Sequence, residues 1–182
     1  WGKKHIPFAT VSDTARRISI TFAAPSKTFN IAGVVSSYCV VPDDDLRKRF
    51  FGWLHASEMD AKGIFPPVAT AAAYRNGEDW LRQMLHYVED NVKFVEDFCR
   101  ERIPALKPMR PDASFLVWLD CRALGLGHDE LNSMFLDKAK LALNDGAMFG
   151  PGGDGFMRMN IGTRRAVLEE ALLRLEKAVR EL

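Results

Sequence analysis

The chain is predicted to adopt an α/β fold on two observations. Short runs rich in β-branched residues alternate with segments of helical periodicity, and one of the helical segments carries an apolar stripe over about five turns. Taken in order, "RISITF" at residues 17–22 alternates and reads as a strand that ends at Ala23 to Ser26, with Lys27 following on a Pro-Ser turn. "SSYCVVP" at 36–42 reads as a second short strand. "DDDLRKRFFGWLHASE" opens with Asp43 to Asp45, carboxylates suited to capping the positive end of a helix. After "KGIFPP" the small-residue run "VATAAAY" is a helix, broken by "RNG" at 75–77.

Asp79 is expected to cap the long helix. Its stripe comprises Leu81, Met84, Leu85, Val88, Val92, Val95, Phe98 and Cys99, spaced by threes and fours. Pro104, Pro108 and Pro111 punctuate the next segment, and "SFLVWLD" at 114–120 is a strand with few charges, expected to be covered on both faces. "HDELNSMFLDKAK" reads as a helix with Leu131, Phe135 and Leu136 inward. "LALNDGAMFGPGGDG" reads as a short strand running into a glycine-rich turn, and "FMRMNI" at 156–161 as a further strand. A last helix buries Leu168, Leu172, Leu175, Val179 and Leu182 and carries Arg164 and Arg165 in its first turn. No internal repeat or low-complexity linker interrupts the order, and a domain boundary is expected near or within the long helix.

Composition narrows the function classes. With 182 residues, 47% apolar and 27% charged, the chain can bury a core in one or two domains. Twenty-five Lys and Arg against 24 Asp and Glu leave a net charge of +1, which gives no electrostatic case for nucleic acid or an anionic membrane as partner. No apolar run is long enough for a membrane span, and "WGKKHIPFAT" lacks the features of a signal peptide, so a soluble, intracellular protein is expected. Cys39, Cys99 and Cys121 are odd in number and widely spaced, which suits reduced thiols; His5, His55, His86 and His128 form no metal-ligand pattern. The opening Trp1 suggests a fragment or a processed chain.

Two features could carry chemistry. Cations in the first turn of a helix oppose its dipole, at a cost of up to about 1 kcal/mol each. With Thr163 as N-cap, backbone donors and a guanidinium fork would converge on a spot suited to a carboxylate; the alternative is that both arginines point into water. Lys27 sits after a strand, where α/β folds present ligand groups. Ser26 and Thr28 could bind a phosphate beside it, and partial desolvation would favour the reactive amine over the ammonium; the alternative is a solvated turn lysine. "GPGGDG", "GLGHD" and "HDELN" lack the spacing of phosphate, dinucleotide and metalloprotease motifs, and read as turn, loop and cap.

"TFAAPSKTFNIAGVVSSYCVVPD" resembles the cofactor-lysine segment of fold-type I enzymes dependent on pyridoxal 5'-phosphate, specifically the MalY/PatB branch of cystathionine β-lyase-like proteins. The similarity continues in order through "HIPFATVSD", "FPPVATAAAYRNGEDWL", "YVEDNVKFV", "SFLVWLDCRALGL" and "GFMRMNIGTRR". The resemblance implies the C-terminal half of such an enzyme: residues 1–85 closing the large cofactor-binding domain and its sheet, and residues 86–182 forming a small α/β domain. It further implies that Lys27 carries the cofactor, that Ser26 contacts its phosphate and that Arg165 grips the substrate α-carboxylate, with no catalytic role for Arg164. Ala24 and Val35 stand where aspartate-aminotransferase relatives have phosphate-binding serine and arginine, which leans away from that branch. The remaining cofactor contacts would lie before Trp1. The implied activity is carbon–sulfur β-elimination from a cystathionine-like amino acid to pyruvate, ammonia and thiol, in a cytoplasmic homodimer. The alternatives are a class I/II aminotransferase, an inert fragment or a protein that sequesters a regulator.

Overall fold

The structure is a computed structural model that describes residues 2–60 and 63–182. The opening Trp1 and the lysine that begins "KGIFPP" lie outside the described residues. The chain divides into two compact units, residues 2–83 and 84–182.

The first unit is built from short elements. Helix α1 spans Asp13–Ile18, and the hydroxyl of its N-cap Ser12 accepts a hydrogen bond from Ala15 N–H. Residues 17 and 18 therefore close a helix, and the strand expected at 17–22 shrinks to β1, Thr21–Ala23. The Ser12 cap organises one turn before the alternating run can pair. β1 is antiparallel to β2, Tyr38–Val40, with Phe22 opposite Cys39. Between them a one-turn helix α2, Pro25–Thr28, replaces the expected turn. Helix α3 spans Asp44–Ala56, and Asp43 caps it by accepting from Leu46 N–H at 2.8 Å. Helix α4 spans Phe65–Asn76 and so starts before "VATAAAY", because Pro66 and Pro67 occupy its first turn, where no backbone N–H is required. Among the described residues of this unit Ala15, Pro25 and Val41 are buried, whereas Ile6, Phe8, Phe22, Trp53, Ile64 and Phe65 are exposed.

Helix α5, Glu78–Arg102, begins in the first unit and continues into the second. It starts one residue before the expected cap Asp79, which instead pairs with Arg82 at 2.7 Å in the first turn. Its stripe buries Val88, Val92, Val95, Phe98 and Cys99, while Leu85 is exposed at the stripe's edge.

The second unit holds a four-stranded antiparallel sheet in the order β3-β4-β6-β5, made of Lys107–Met109, Leu116–Asp120, Phe156–Asn160 and Asn144–Asp145 respectively. Pro108 lies in β3, an edge strand, where its missing donor is tolerated. In β4 Val117 and Leu119 are fully buried and register with Met159 and Met157, while Leu116, Trp118 and Asp120 are half-buried, so cover is complete on one face only. Helix α6, His128–Ser133, runs into a π-helical turn, Met134–Lys138, whose wider winding turns Met134 and Phe135 inward and leaves the expected core residue Leu136 exposed. Helix α7, Arg165–Arg180, buries Leu168, Leu172 and Leu175 in the same cluster as the α5 stripe and the inner face of the sheet. Each such side chain contributes roughly 1.5–3 kcal/mol of burial. Val179 is half-buried against this cluster, and Leu182, assigned to the same face from sequence, is exposed.

Glu176 is buried on α7 and holds Arg102 of α5 at 2.5 Å and Arg180, which ties the two helices at one end. The glycine-rich turn closes through a backbone contact: a Cβ on Gly153 would lie 2.1 Å from the carbonyl oxygen of Gly146. All three thiols are unpaired, and burial pushes those of Cys99 and Cys121 up to about 12. No described helix is long and apolar enough to cross a membrane.

Candidate active site

Lys27 and Ser26 lie together on α2. The local sequence explains their presentation: Ala24 is extended, as the residue before a proline prefers, and Pro25 at the first helical position presets the turn. The turn then closes through Phe29 N–H to Pro25 O and Ile31 N–H to Ser26 O, both 2.9 Å. Phe29 anchors it, with its ring 5.4 Å from Tyr74 and 6.4 Å from Trp80. Gly77 permits this approach, since a Cβ there would sit 2.7 Å from the Phe29 ring. Pro25 is buried, Ser26 half-buried and Lys27 exposed. Among the described residues the Lys27 amine makes no ion pair or hydrogen bond, and the Ser26 hydroxyl none either.

Arg165 lies in the second unit, at the first position of α7. The N-cap is Arg164 and not Thr163, whose carbonyl is taken by Asn91 Nδ2 at 3.0 Å, outside the helix. Arg164 is exposed. Arg165 is half-buried and closely held. Its backbone N–H donates to the Tyr87 hydroxyl at 2.6 Å, its Nε donates to Asn91 Oδ1 at 2.8 Å, and its guanidinium carbon stands 4.4 Å from the centre of the Phe94 ring. No described carboxylate pairs with it, which leaves the outer edge of the fork, Nη1 and Nη2, as the donors available to a ligand. The seat of this arginine was missed in the sequence. Its one signal was a polar residue, Asn91, between Val88 and Val92 of an otherwise apolar stripe.

No family model matches the chain. It is 43% identical over 179 residues to cystathionine β-lyase PatB of Bacillus subtilis, a match covering 98% of this chain and 46% of PatB. It is 29% identical over 182 residues to protein MalY of Escherichia coli, covering 99% of this chain and 46% of that protein. Cystalysin from Treponema denticola, whose crystal structure contains pyridoxal 5'-phosphate, superposes with a TM-score of 0.94 at 32% identity, over 99% of this chain and 46% of cystalysin. The chain thus has the fold of the C-terminal portion of pyridoxal-phosphate-dependent enzymes of aminotransferase fold. Within that class its relatives include PatB and MalY, and the chain spans about half the length of the curated relatives it matches.

The residues present fit such a cofactor. A primary amine with no partner among the described residues stands on a proline-initiated turn, beside a hydroxyl with hydrogen-bonding capacity for a phosphate oxygen.

Proposed function

We propose that this chain is the C-terminal part of a pyridoxal-phosphate-dependent carbon–sulfur β-lyase acting on cystathionine or another cysteine thioether. Residues 1–85 complete its large domain and residues 86–182 form its small domain. The observation that carries the reading is the homology to PatB over 98% of this chain, which includes the segment bearing Lys27 and the helix start bearing Arg165.

In this reading Arg165 binds the substrate α-carboxylate through its outer fork and orients the Cα–H bond. A planar guanidinium fixes that direction where an ammonium would act as a point charge. Lys27 carries the cofactor at Nζ when substrate is absent; with substrate bound, Nζ takes the proton from Cα. Ser26 contacts the cofactor phosphate. The cofactor, when bound, supplies the electron sink for the pair released at Cα. The Cβ–S bond then breaks with its electrons on sulfur, so that one thioether amino acid and one water yield thiol, pyruvate and ammonia. A homodimer in the cytoplasm is part of the same proposal, and three unpaired thiols suit a reducing compartment.

The test is borohydride reduction of the full-length holoenzyme followed by peptide mapping. Cofactor is expected on Lys27, and Lys27→Ala should abolish both the label and thiol release. A label elsewhere, or none, would remove Lys27 from the mechanism. Assaying thiol release beside amino-group exchange separates this activity from transamination by the same residues.

A further inference from the structure

Asn91 has no exposed surface, and all of its amide hydrogen-bonding is directed at the segment that presents Arg165. Its Nδ2 donates to the carbonyls of Ile161 and Thr163, at 2.9 and 3.0 Å, and so fixes the link between β6 and α7. Its Oδ1 accepts from Arg165 Nε at 2.8 Å. A bond to Nε lies in the guanidinium plane and stops rotation of that plane about the side-chain axis. Phe94, almost one turn further along α5, covers one face of the plane, and Tyr87, one turn before, holds the backbone of the same residue. The Nε edge, one face and the main chain of Arg165 are therefore all committed to α5.

We propose that Asn91, with Phe94 beneath the guanidinium, is the positioning element for carboxylate recognition. It forces the carboxylate of an amino acid to dock end-on against Nη1 and Nη2, because the side-on approach through Nε is occupied. This rests on the reading of Arg165 as the carboxylate fork. The residue type follows from the geometry. Aspartate would keep the acceptor but turn a buried charge toward two carbonyls and neutralise the fork, whereas leucine would leave Nε and both carbonyls without partners.

The experiment uses the full-length holoenzyme and the variants Asn91→Ala, Asn91→Asp, Arg165→Ala and the double variant Asn91→Ala/Arg165→Ala. Three quantities are measured: KM and kcat for a cysteine thioether, the dissociation constant of propionate by NMR titration, and cofactor content by absorbance. Asn91→Ala is expected to raise KM and the propionate constant about tenfold to a hundredfold, the loss that misplacing a binding group produces, with cofactor content unchanged. Asn91→Asp should raise both further, and Asn91→Ala should add nothing in the Arg165→Ala background. The inference is overturned by a folded Asn91 variant that keeps both constants within twofold while Arg165→Ala raises them, or by an Asn91 effect of equal size with and without Arg165. If Arg165→Ala itself changes neither constant, the carboxylate-fork reading is the one that fails. Should the Asn91 variants not fold, Phe94→Leu decides the matter: an unchanged propionate constant overturns the inference and a raised one supports it.

Discussion

Replacing Arg165 by lysine in the full-length enzyme keeps the positive charge and removes everything else the structure assigns to this side chain. The Nε donor to Asn91 at 2.8 Å disappears, and Oδ1 of a fully buried amide is left without its partner. A hydrogen bond to a charged group is worth about 1.5–3 kcal/mol. The guanidinium no longer lies over Phe94 at 4.4 Å, a contact worth about 0.5–1 kcal/mol at a partly exposed site. The fork also becomes a single-point donor. The two contacts with α5 exist with and without substrate and so register in stability; kcat/KM loses the second hydrogen bond of the fork and its direction while the Coulombic attraction persists, about 2–3 kcal/mol, or roughly 30- to 150-fold. Steady-state assay of thiol release against substrate concentration reads it, with cofactor absorbance as a check that loading is intact. Most of the change should fall on KM. A kcat/KM within about threefold of the parent would refute the assignment of a planar, two-point contact, since a point charge would then serve as well.

Three further outcomes follow from geometry elsewhere in the chain. Glu176→Ala removes a buried carboxylate from between Arg102 and Arg180, which are 43% and 71% exposed and can be hydrated, so chemical denaturation should show a loss of about 1–3 kcal/mol; an unchanged midpoint would mean the pairs contribute nothing. Gly153→Ala places a Cβ 2.1 Å from the Gly146 carbonyl and should cost about 1–3 kcal/mol through backbone displacement, while a neutral effect would show that the turn opens freely. The Asp120 carboxyl is held down to about 2, chiefly by hydrogen bonding from the Arg122 guanidinium. Its contribution is therefore present above the ordinary carboxylate pKa of about 3.9 and fades as pH falls toward 2. Arg122→Ala should flatten this acid limb in a pH series of melting curves, and an identical limb in the variant would assign the acid loss to other carboxylates.

Legibility followed the strength of local periodicity. The α5 stripe, Val88 to Cys99, and the α7 stripe, Leu168 to Leu175, were legible because each repeats over several turns and one face must be buried. Helix α1 was missed although its cap, Ser12 to Ala15, stands in the sequence, because the alternation of "RISITF" masks a helix of six residues. Leu136 was misplaced because a helical period of 3.6 gives the wrong phase through the π-helical turn at Met134–Lys138. Lys27, Ser26 and Arg165 were singled out by family resemblance together with a broken local rule. The seat of Arg165 was not, because Asn91 and Arg165 are 74 residues apart in sequence and only the tertiary structure brings them into contact.

The broken rule itself has a different resolution from the one the sequence suggests. A cation at the first position of α7 opposes the helix dipole at a cost of up to about 1 kcal/mol, and the sequence invites the conclusion that an anion compensates. No described carboxylate does so. The Asn91 hydrogen bond to Nε and the Phe94 ring face, at about 1.5–3 and 0.5–1 kcal/mol, already exceed that cost. Arg165 is thus held in place by α5 without a ligand, and its orientation need not be established at the moment of binding. A flexible surface arginine would lose rotamer entropy on gripping a carboxylate, on the order of 0.5–1.5 kcal/mol. Here that loss is taken in folding, so the attraction of the outer fork for a carboxylate goes into affinity and direction. An unfavourable helix-start cation and a buried amide in an apolar stripe are each unremarkable alone. In the proposed reading, three hydrogen bonds, to Ile161, Thr163 and Arg165, join them into a binding group built in advance of its ligand.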